Sequence, residues 1–147
     1  MENHIYNDDK TYVCATLEEL PAIVEQIKSD LSASLILMIG DLGSGKTTFT
    51  KALLNSLDSA DTGSSPSYSL INEYDISQGR FIHMDLYRLD TAEEVFRLGI
   101  EDYLYESTYC VIEWPHLIID HLEPPYAVLK FEVKDQGIRE ITLAHIV

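Results

Sequence analysis

Apolar residues recur along this chain at changing intervals, and each interval predicts a different element. The run Leu35-Ile36-Leu37-Met38-Ile39 is apolar without interruption, as a strand buried on both faces is. Just beyond it, Phe49, Ala52, Leu53 and Leu57 fall at helical spacing. Upstream, Leu20, Ile23, Val24 and Ile27 share one helical face behind Thr16-Leu17-Glu18-Glu19, which has capping-box spacing. A first helix is therefore predicted over residues 17–29, with Pro21 early enough to cost little. Residues 59–65 form a small-residue connection. Strands are predicted over 68–74 and 80–85, antiparallel neighbours joined by a turn at Ser77-Gln78-Gly79. Thr91-Ala92-Glu93-Glu94 repeats the capping-box signature, Leu98-Gly99 stops that helix, and the apolar run Tyr109–Glu113 reads as a strand. Residues 126–133 alternate, Asp135-Gln136-Gly137 turns the chain, and 138–147 returns as the second arm of a hairpin. Strands alternating with helices first and hairpins afterwards imply an α/β sandwich with a mixed parallel/antiparallel sheet.

The segment between the first strand and its helix changes the picture from fold to chemistry. Gly40-Asp41-Leu42-Gly43-Ser44-Gly45-Lys46-Thr47 reads G-x-x-x-x-G-K-T in the strand-to-helix setting that a phosphate-binding loop requires. Glycines let successive backbone N–H groups turn inward around a phosphate, where a Cβ would crowd the anion. Lys46 supplies a point charge, Thr47 a hydroxyl suited to Mg²⁺, and the helix N-terminus a partial positive charge. The plainer alternative, a glycine-rich turn between a buried strand and a surface helix, does not account for that setting. A P-loop NTPase-like sandwich is the expected fold.

Size and charge narrow the possibilities further. At 147 residues with 46% hydrophobic composition, one domain spanning 1–147 is expected. Cys14 and Cys110 lie far apart in apolar runs and form no C-x-x-C pair, which favours buried reduced thiols and suits a cytoplasmic protein. Residues 1–10 are polar, and nowhere do about eighteen apolar residues run together, so membrane insertion is not expected. The formal charge of −15 repels polyanions at long range. Nucleotide binding must then rest on the local cradle and a divalent cation, since a Debye length of roughly 8 Å screens distant carboxylates. The same field disfavours direct contact with nucleic acid, so any RNA would be held by a partner.

Hydrolysis of a bound triphosphate needs Mg²⁺ beside Thr47 and a carboxylate that orients water. Phe81-Ile82-His83-Met84-Asp85 and Tyr109-Cys110-Val111-Ile112-Glu113 each end an apolar strand in an acid, and strand C-termini converge on the ligand crevice of open α/β sheets. Either acid alone is also a common way to end a strand. His83 is read as a satisfied histidine within the sheet, because the five histidines offer no metal-ligand spacing. The nine tyrosines are read as packing residues rather than base-stacking platforms.

Several segments together resemble the bacterial TsaE family, the small ATPase needed to make threonylcarbamoyladenosine in transfer RNA. Gly40-Asp41-Leu42-Gly43-Ser44-Gly45-Lys46-Thr47-Thr48-Phe49 resembles that family's loop and Ser65-Pro66-Ser67-Tyr68-Ser69-Leu70 its switch-like segment. His83-Met84-Asp85-Leu86-Tyr87-Arg88-Leu89 resembles its aspartate strand, and Ile112-Glu113-Trp114-Pro115 completes the series. The resemblance implies ATP and Mg²⁺ as cofactors, with Leu42, Gly43, Ser44, Gly45, Lys46, Thr47 and Thr48 around the nucleotide. It implies that Thr47 and Glu113 coordinate Mg²⁺, that Lys46, Asp85 and Glu113 carry catalysis with Asp85 assisting hydrolysis, and that Thr16 and Gly137 close the site. It implies TsaD-like and TsaB-like partner subunits, with tRNA met only through the complex. Trp114 is placed near the nucleotide, at a partner surface or in the core. The family's usual serine-proline-threonine reads here as Ser65-Pro66-Ser67, which keeps a hydroxyl, and its frequent acid or amide after tryptophan-proline reads as His116, which cannot supply a carboxylate.

Two other readings share the loop. A small-molecule kinase normally needs a basic lid, and Arg80, Arg88, Arg97 and Arg139 are scattered singly. A nucleotide-switched interaction module of the small-GTPase kind lacks its N-K-x-D guanine reader here. No arginine finger in cis is evident, so a slow ATPase stimulated by a partner is expected.

Overall fold

The computed structural model describes residues 6–59 and 70–147. The chain runs β1 (Tyr6–Cys14), α1 (Leu20–Asp30), β2 (Leu35–Ile39), α2 (Lys46–Asn55), β3 (Ile71–Ile76), β4 (Gly79–Asp85), α3 (Ala92–Phe96), α4 (Glu101–Leu104), β5 (Tyr109–Glu113), β6 (Tyr126–Val133) and β7 (Arg139–Ile146). One seven-stranded sheet has the order β1-β7-β6-β2-β5-β4-β3. β2 pairs in parallel with β5 and β6, and β4 in parallel with β5, whereas β1–β7, β6–β7 and β3–β4 are antiparallel. The predicted mixed sheet is what forms.

Side-chain alternation sorts the core into two layers. On one face Ile36, Met38, Phe81, Val111, Leu129 and Phe131 pack under α1 and α2. On the other, Leu35, Leu37, Ile82, Met84 and Ile112 meet α3, α4 and the 3-10 turns after β5. α1 buries Leu20, Ile23, Val24 and Ile27, the face its spacing predicted. α2 is seated by Phe49, which meets Phe131 of β6 edge-on at 5.5 Å between ring centres. Such a pair adds about 0.5–1.5 kcal/mol beyond its buried area and fixes the helix that carries Lys46 and Thr47.

Several boundaries differ from the sequence expectation. The segment 17–29 is a 3-10 turn, Leu17–Glu19, followed by α1. Pro21 has no N–H to offer the Leu17 carbonyl, so Leu20 donates to it one residue earlier and the turn tightens. Thr16 makes no side-chain cap bond; Glu19 instead takes the Ala15 N–H at 2.8 Å. At Thr91 the side-chain cap does form, with Oγ1 accepting from the Glu94 N–H at 3.2 Å and donating to Glu94 Oε1 at 3.3 Å. β1 was not predicted. Over residues 9–14 its inward positions are Tyr12 and Cys14, and a register shift between Asn7 and Lys10 breaks the strand's pairing. The Tyr12 hydroxyl donates to Asp30 of α1, and Lys10 pairs with the same carboxylate at 2.9 Å. Burial and the Asp30 carboxylate raise the Tyr12 phenol above its ordinary range. α4 is a single turn without a capping signature and was also unpredicted. β3 begins at Ile71 rather than 68 and extends to Ile76, and the predicted residues 68–69 and the 60–65 connection lie outside the described residues. Cys14 and Cys110 are both buried free thiols. Among the described residues, no helix is long and apolar enough to cross a membrane.

Candidate functional site

The chain leaves β2 at Ile39, bends through 40–45 and enters α2 at Lys46. Glycine is required at specific places. A Cβ on Gly40 would come within 2.7 Å of Ser44 Oγ and 2.8 Å of the Phe131 carbonyl, and Gly45, the α2 N-cap, has φ 105°. Lys46 is buried under this loop, and its ammonium donates to the carbonyls of Gly40 and of Asp41, the latter at 3.2 Å. It also lies 4.0 Å from the centre of the Trp114 ring. Burial pulls the Lys46 ammonium below its ordinary range, while the carboxylates of Glu113, Asp85 and Asp41 hold it up.

The two strand-end acids arrive side by side. In the parallel β4–β5 pair, Asp85 stands directly opposite Glu113. Glu113 is only 2% exposed. The Thr47 hydroxyl donates to it, 3.1 Å from Oε1 and 3.3 Å from Oε2, and His83 Nε2 lies 2.5 Å from Oε2. Asp85 Oδ1 accepts the Tyr87 N–H at 3.1 Å. Strand order and the loop thus bring Lys46, Thr47, Asp85 and Glu113 to one cavity of about 230 Å³, whose walls also include Leu42, Gly43, Ser44, Gly45 and Thr48.

Arg139, which reads in the sequence only as one of four scattered arginines, completes those walls. It is the first residue of β7, paired with Cys14 on one side and Val133 on the other, at the end of the sheet where β2 opens into the loop. Its Nη2 donates to the Gly43 carbonyl at 3.4 Å, and a Cβ on Gly45 would meet Nη1 at 3.2 Å. Among the described residues, the buried side-chain N and O atoms without a partner are Ser44 Oγ and Arg139 Nε, both on residues lining this cavity. Buried polar atoms are seldom left unpaired, and both of these stand beside the phosphate-binding loop.

Trp114 holds a left-handed conformation, φ 57° and ψ 59°, against Tyr87 with ring centres 4.9 Å apart. It separates the loop cavity from an apolar depression of about 550 Å³ lined by Ile39, Phe131, Pro115 and Ile119. His116, exposed, lies at its rim, 6.5 Å ring to ring from Trp114. Thr16 and Gly137 do not line the loop cavity. Thr16 lies two residues beyond Cys14, where its carbonyl accepts the thiol, and Gly137 sits in the turn before β7, so both are at the same end of the sheet as the loop. Arg88 is exposed. Of the switch-like segment only Leu70 is described; its carbonyl accepts the Asp85 N–H at 3.0 Å. His83 is satisfied, as expected, but by the acid of the site. Its place two residues before Asp85, on the same face of β4, was the available signal.

The Thr47 hydroxyl and the Glu113 carboxylate are oxygen donors in contact with one another beneath a helix N-terminus, which is a donor set that fits Mg²⁺ beside a phosphate. Fold and loop together define a P-loop NTPase-like α/β protein. A family model described as "Threonylcarbamoyl adenosine biosynthesis protein TsaE" matches residues 14–141. The chain belongs to the TsaE family. It is 42% identical over 82 residues to the tRNA threonylcarbamoyladenosine biosynthesis protein TsaE of Haemophilus influenzae, covering 56% of this chain and 52% of that protein. It is 38% identical over 109 residues to the protein of the same name from Bacillus subtilis, covering 73% of this chain and 66% of that one. The matches therefore span about half and about two thirds of these relatives' own lengths. The crystal structure of Bacillus subtilis YdiB superposes with a TM-score of 0.77 at 26% identity, covering 99% of this chain and 90% of that one.

Proposed function

We propose that this protein is the ATP-binding and hydrolysing subunit of the machinery that makes threonylcarbamoyladenosine in tRNA, Mg²⁺-dependent, slow alone and stimulated by partners. The observation that carries the reading is the meeting of Lys46, Thr47, Asp85 and Glu113 in one cavity, two of whose lining residues, Ser44 and Arg139, carry an unpartnered buried polar atom. The loop N–H groups and Lys46 bind the phosphates, and Arg139 adds charge from β7. Thr47 and Glu113 are the residues that would hold Mg²⁺, which when bound neutralises charge on the phosphates and polarises them toward attack. Asp85, opposite Glu113 but without contact to Thr47, orients the attacking water.

With a net charge of −15 the chain is a poor ligand for RNA by itself, and tRNA is reached through partners resembling TsaD and TsaB, in the cytoplasm where tRNA is modified. A partner supplies the stimulation, because Arg139 is held on the Gly43 carbonyl rather than poised beside the two acids. Calorimetry with ATP and magnesium, followed by hydrolysis assays with and without the two partner subunits, tests this. Saturable binding with slow turnover that partners accelerate is expected. Absence of ATP binding, or full turnover by the chain alone, overturns it.

A further inference from the structure

We infer that His83 is a positioning residue, which holds the Glu113 carboxylate against the Thr47 hydroxyl and away from Asp85, so that the two neighbouring acids do different work. The inference rests on the reading of this site as a Mg²⁺-nucleotide site.

In the β4–β5 register Asp85 faces Glu113 and His83 faces Val111. Two carboxylates directly opposite one another on adjacent strands repel, and with nothing else to hold them they compete for one cation. The structure resolves that competition along a diagonal. His83, on the same face of β4 as Asp85, reaches across to Glu113 and places Nε2 2.5 Å from Oε2. Thr47 Oγ1 donates to the same carboxylate at 3.1 and 3.3 Å. Because an ionised carboxylate only accepts, His83 presents Nε2–H to it. Among the described residues, Asp85 takes the Tyr87 N–H at 3.1 Å and stands in the cavity wall.

His83 itself is not among the residues lining the cavity, so it acts on a ligand only through Glu113. His83 is 8% exposed and Glu113 2%, so water has little access to replace the imidazole if it is removed. A carboxylate that loses its orienting partner in such a place is free to turn away from Thr47, and the oxygen donor beside that hydroxyl is lost. Outer partners of metal-holding side chains matter on this scale generally.

The test compares His83→Leu and His83→Gln in the full chain. Mn²⁺ binding is followed by electron paramagnetic resonance with ADP present, and ADP binding by calorimetry in EDTA. The leucine variant is expected to bind Mn²⁺ roughly 10- to 100-fold more weakly while its ADP affinity in EDTA holds, and glutamine, whose amide N–H reaches toward the Nε2 position, recovers most of the loss. Should the leucine variant fail to fold by circular dichroism, His83→Asn, polar but too short, takes its place with the same expectation. Unchanged Mn²⁺ affinity, or equal loss of Mn²⁺ and ADP binding in both variants, overturns the role of His83 alone. A parent chain that binds neither ADP nor Mn²⁺ overturns the nucleotide reading and this inference with it.

Discussion

The ammonium of Lys46 rests 4.0 Å from the centre of the Trp114 ring, with its protons turned back to the carbonyls of Gly40 and Asp41. A phosphate in the cavity competes for that ammonium, because a charge-assisted bond to an anion is stronger than one to a neutral carbonyl or a ring face. Trp114 is the single tryptophan of the chain, so its emission reports the exchange. Titration with Mg·ATP is expected to change tryptophan fluorescence saturably. In Lys46→Ala the affinity falls on the order of a hundredfold, as when one partner of a buried charge pair is removed. An undiminished affinity in that variant would remove Lys46 from the phosphate site.

Arg139 reaches the loop from the far end of the polypeptide, and its planar fork cannot be replaced by a point charge. Arg139→Lys is therefore expected to behave like Arg139→Ala, each weakening ATP by roughly ten- to a hundredfold and AMP much less, since the lost bonds are to the β- and γ-phosphates that AMP lacks. Calorimetry with the two nucleotides decides the matter. Equal loss for ATP and AMP would place the guanidinium at the nucleoside instead.

What the sequence made legible was local. The uninterrupted run of β2, the glycine loop and the helical spacing of α2 lie within 35–57, and each is dictated by residues a few positions apart. The β6–β7 hairpin was legible for the same reason. β1 was not, because over its described side chains, 9–14, only Tyr12 and Cys14 are buried and the others are exposed. Arg139 carries no local pattern. Its role arises from register, with Cys14 and Val133 as its neighbours, and no periodicity encodes that. His83 was classed correctly as a satisfied histidine, but its partner lies 30 residues further on, across a strand pair. The two capping-box signatures show how a single residue decides an outcome: Thr91 caps its helix, while Pro21 behind Thr16 turns the same pattern into a 3-10 turn.

Asp85 and Glu113 face one another, yet only Glu113 touches Thr47. Their isosteric amides should separate accordingly. Glu113→Gln is expected to raise the Mg²⁺ concentration needed for half-maximal hydrolysis by roughly 10- to 100-fold, as for loss of a metal-holding group's charge. Asp85→Asn is expected to lower kcat on the order of a hundredfold with the ATP dissociation constant little changed, the signature of an interaction made in the transition state. The assay is turnover against Mg²⁺ and against ATP for each variant in the partner-stimulated complex. Unchanged kcat in Asp85→Asn would exclude that residue from the hydrolytic step.

Cys110 sits mid-sheet, opposite Leu35 on β2 and Ile82 on β4. Burial pushes its thiol up to about 12, a hydrogen bond from Ser107 opposing the rise only in part. Because the folded value lies above the unfolded one, 9.0, the folded chain retains a proton that the unfolded chain gives up. The resulting stability is fully present below pH 9 and is lost as pH rises from 9 toward 12, at about 1.4 kcal/mol per pH unit from this one group. Urea unfolding at pH 8, 9, 10 and 11 is expected to show this decline on top of those from Tyr12 and Cys14, whose values are also raised. Cys110→Ala starts about 1 kcal/mol or more less stable at pH 8, from the cavity it leaves, but declines less steeply above pH 9. The difference between the two proteins therefore narrows with pH. Parallel curves for parent and variant would show that the thiol titrates as it does in the unfolded chain.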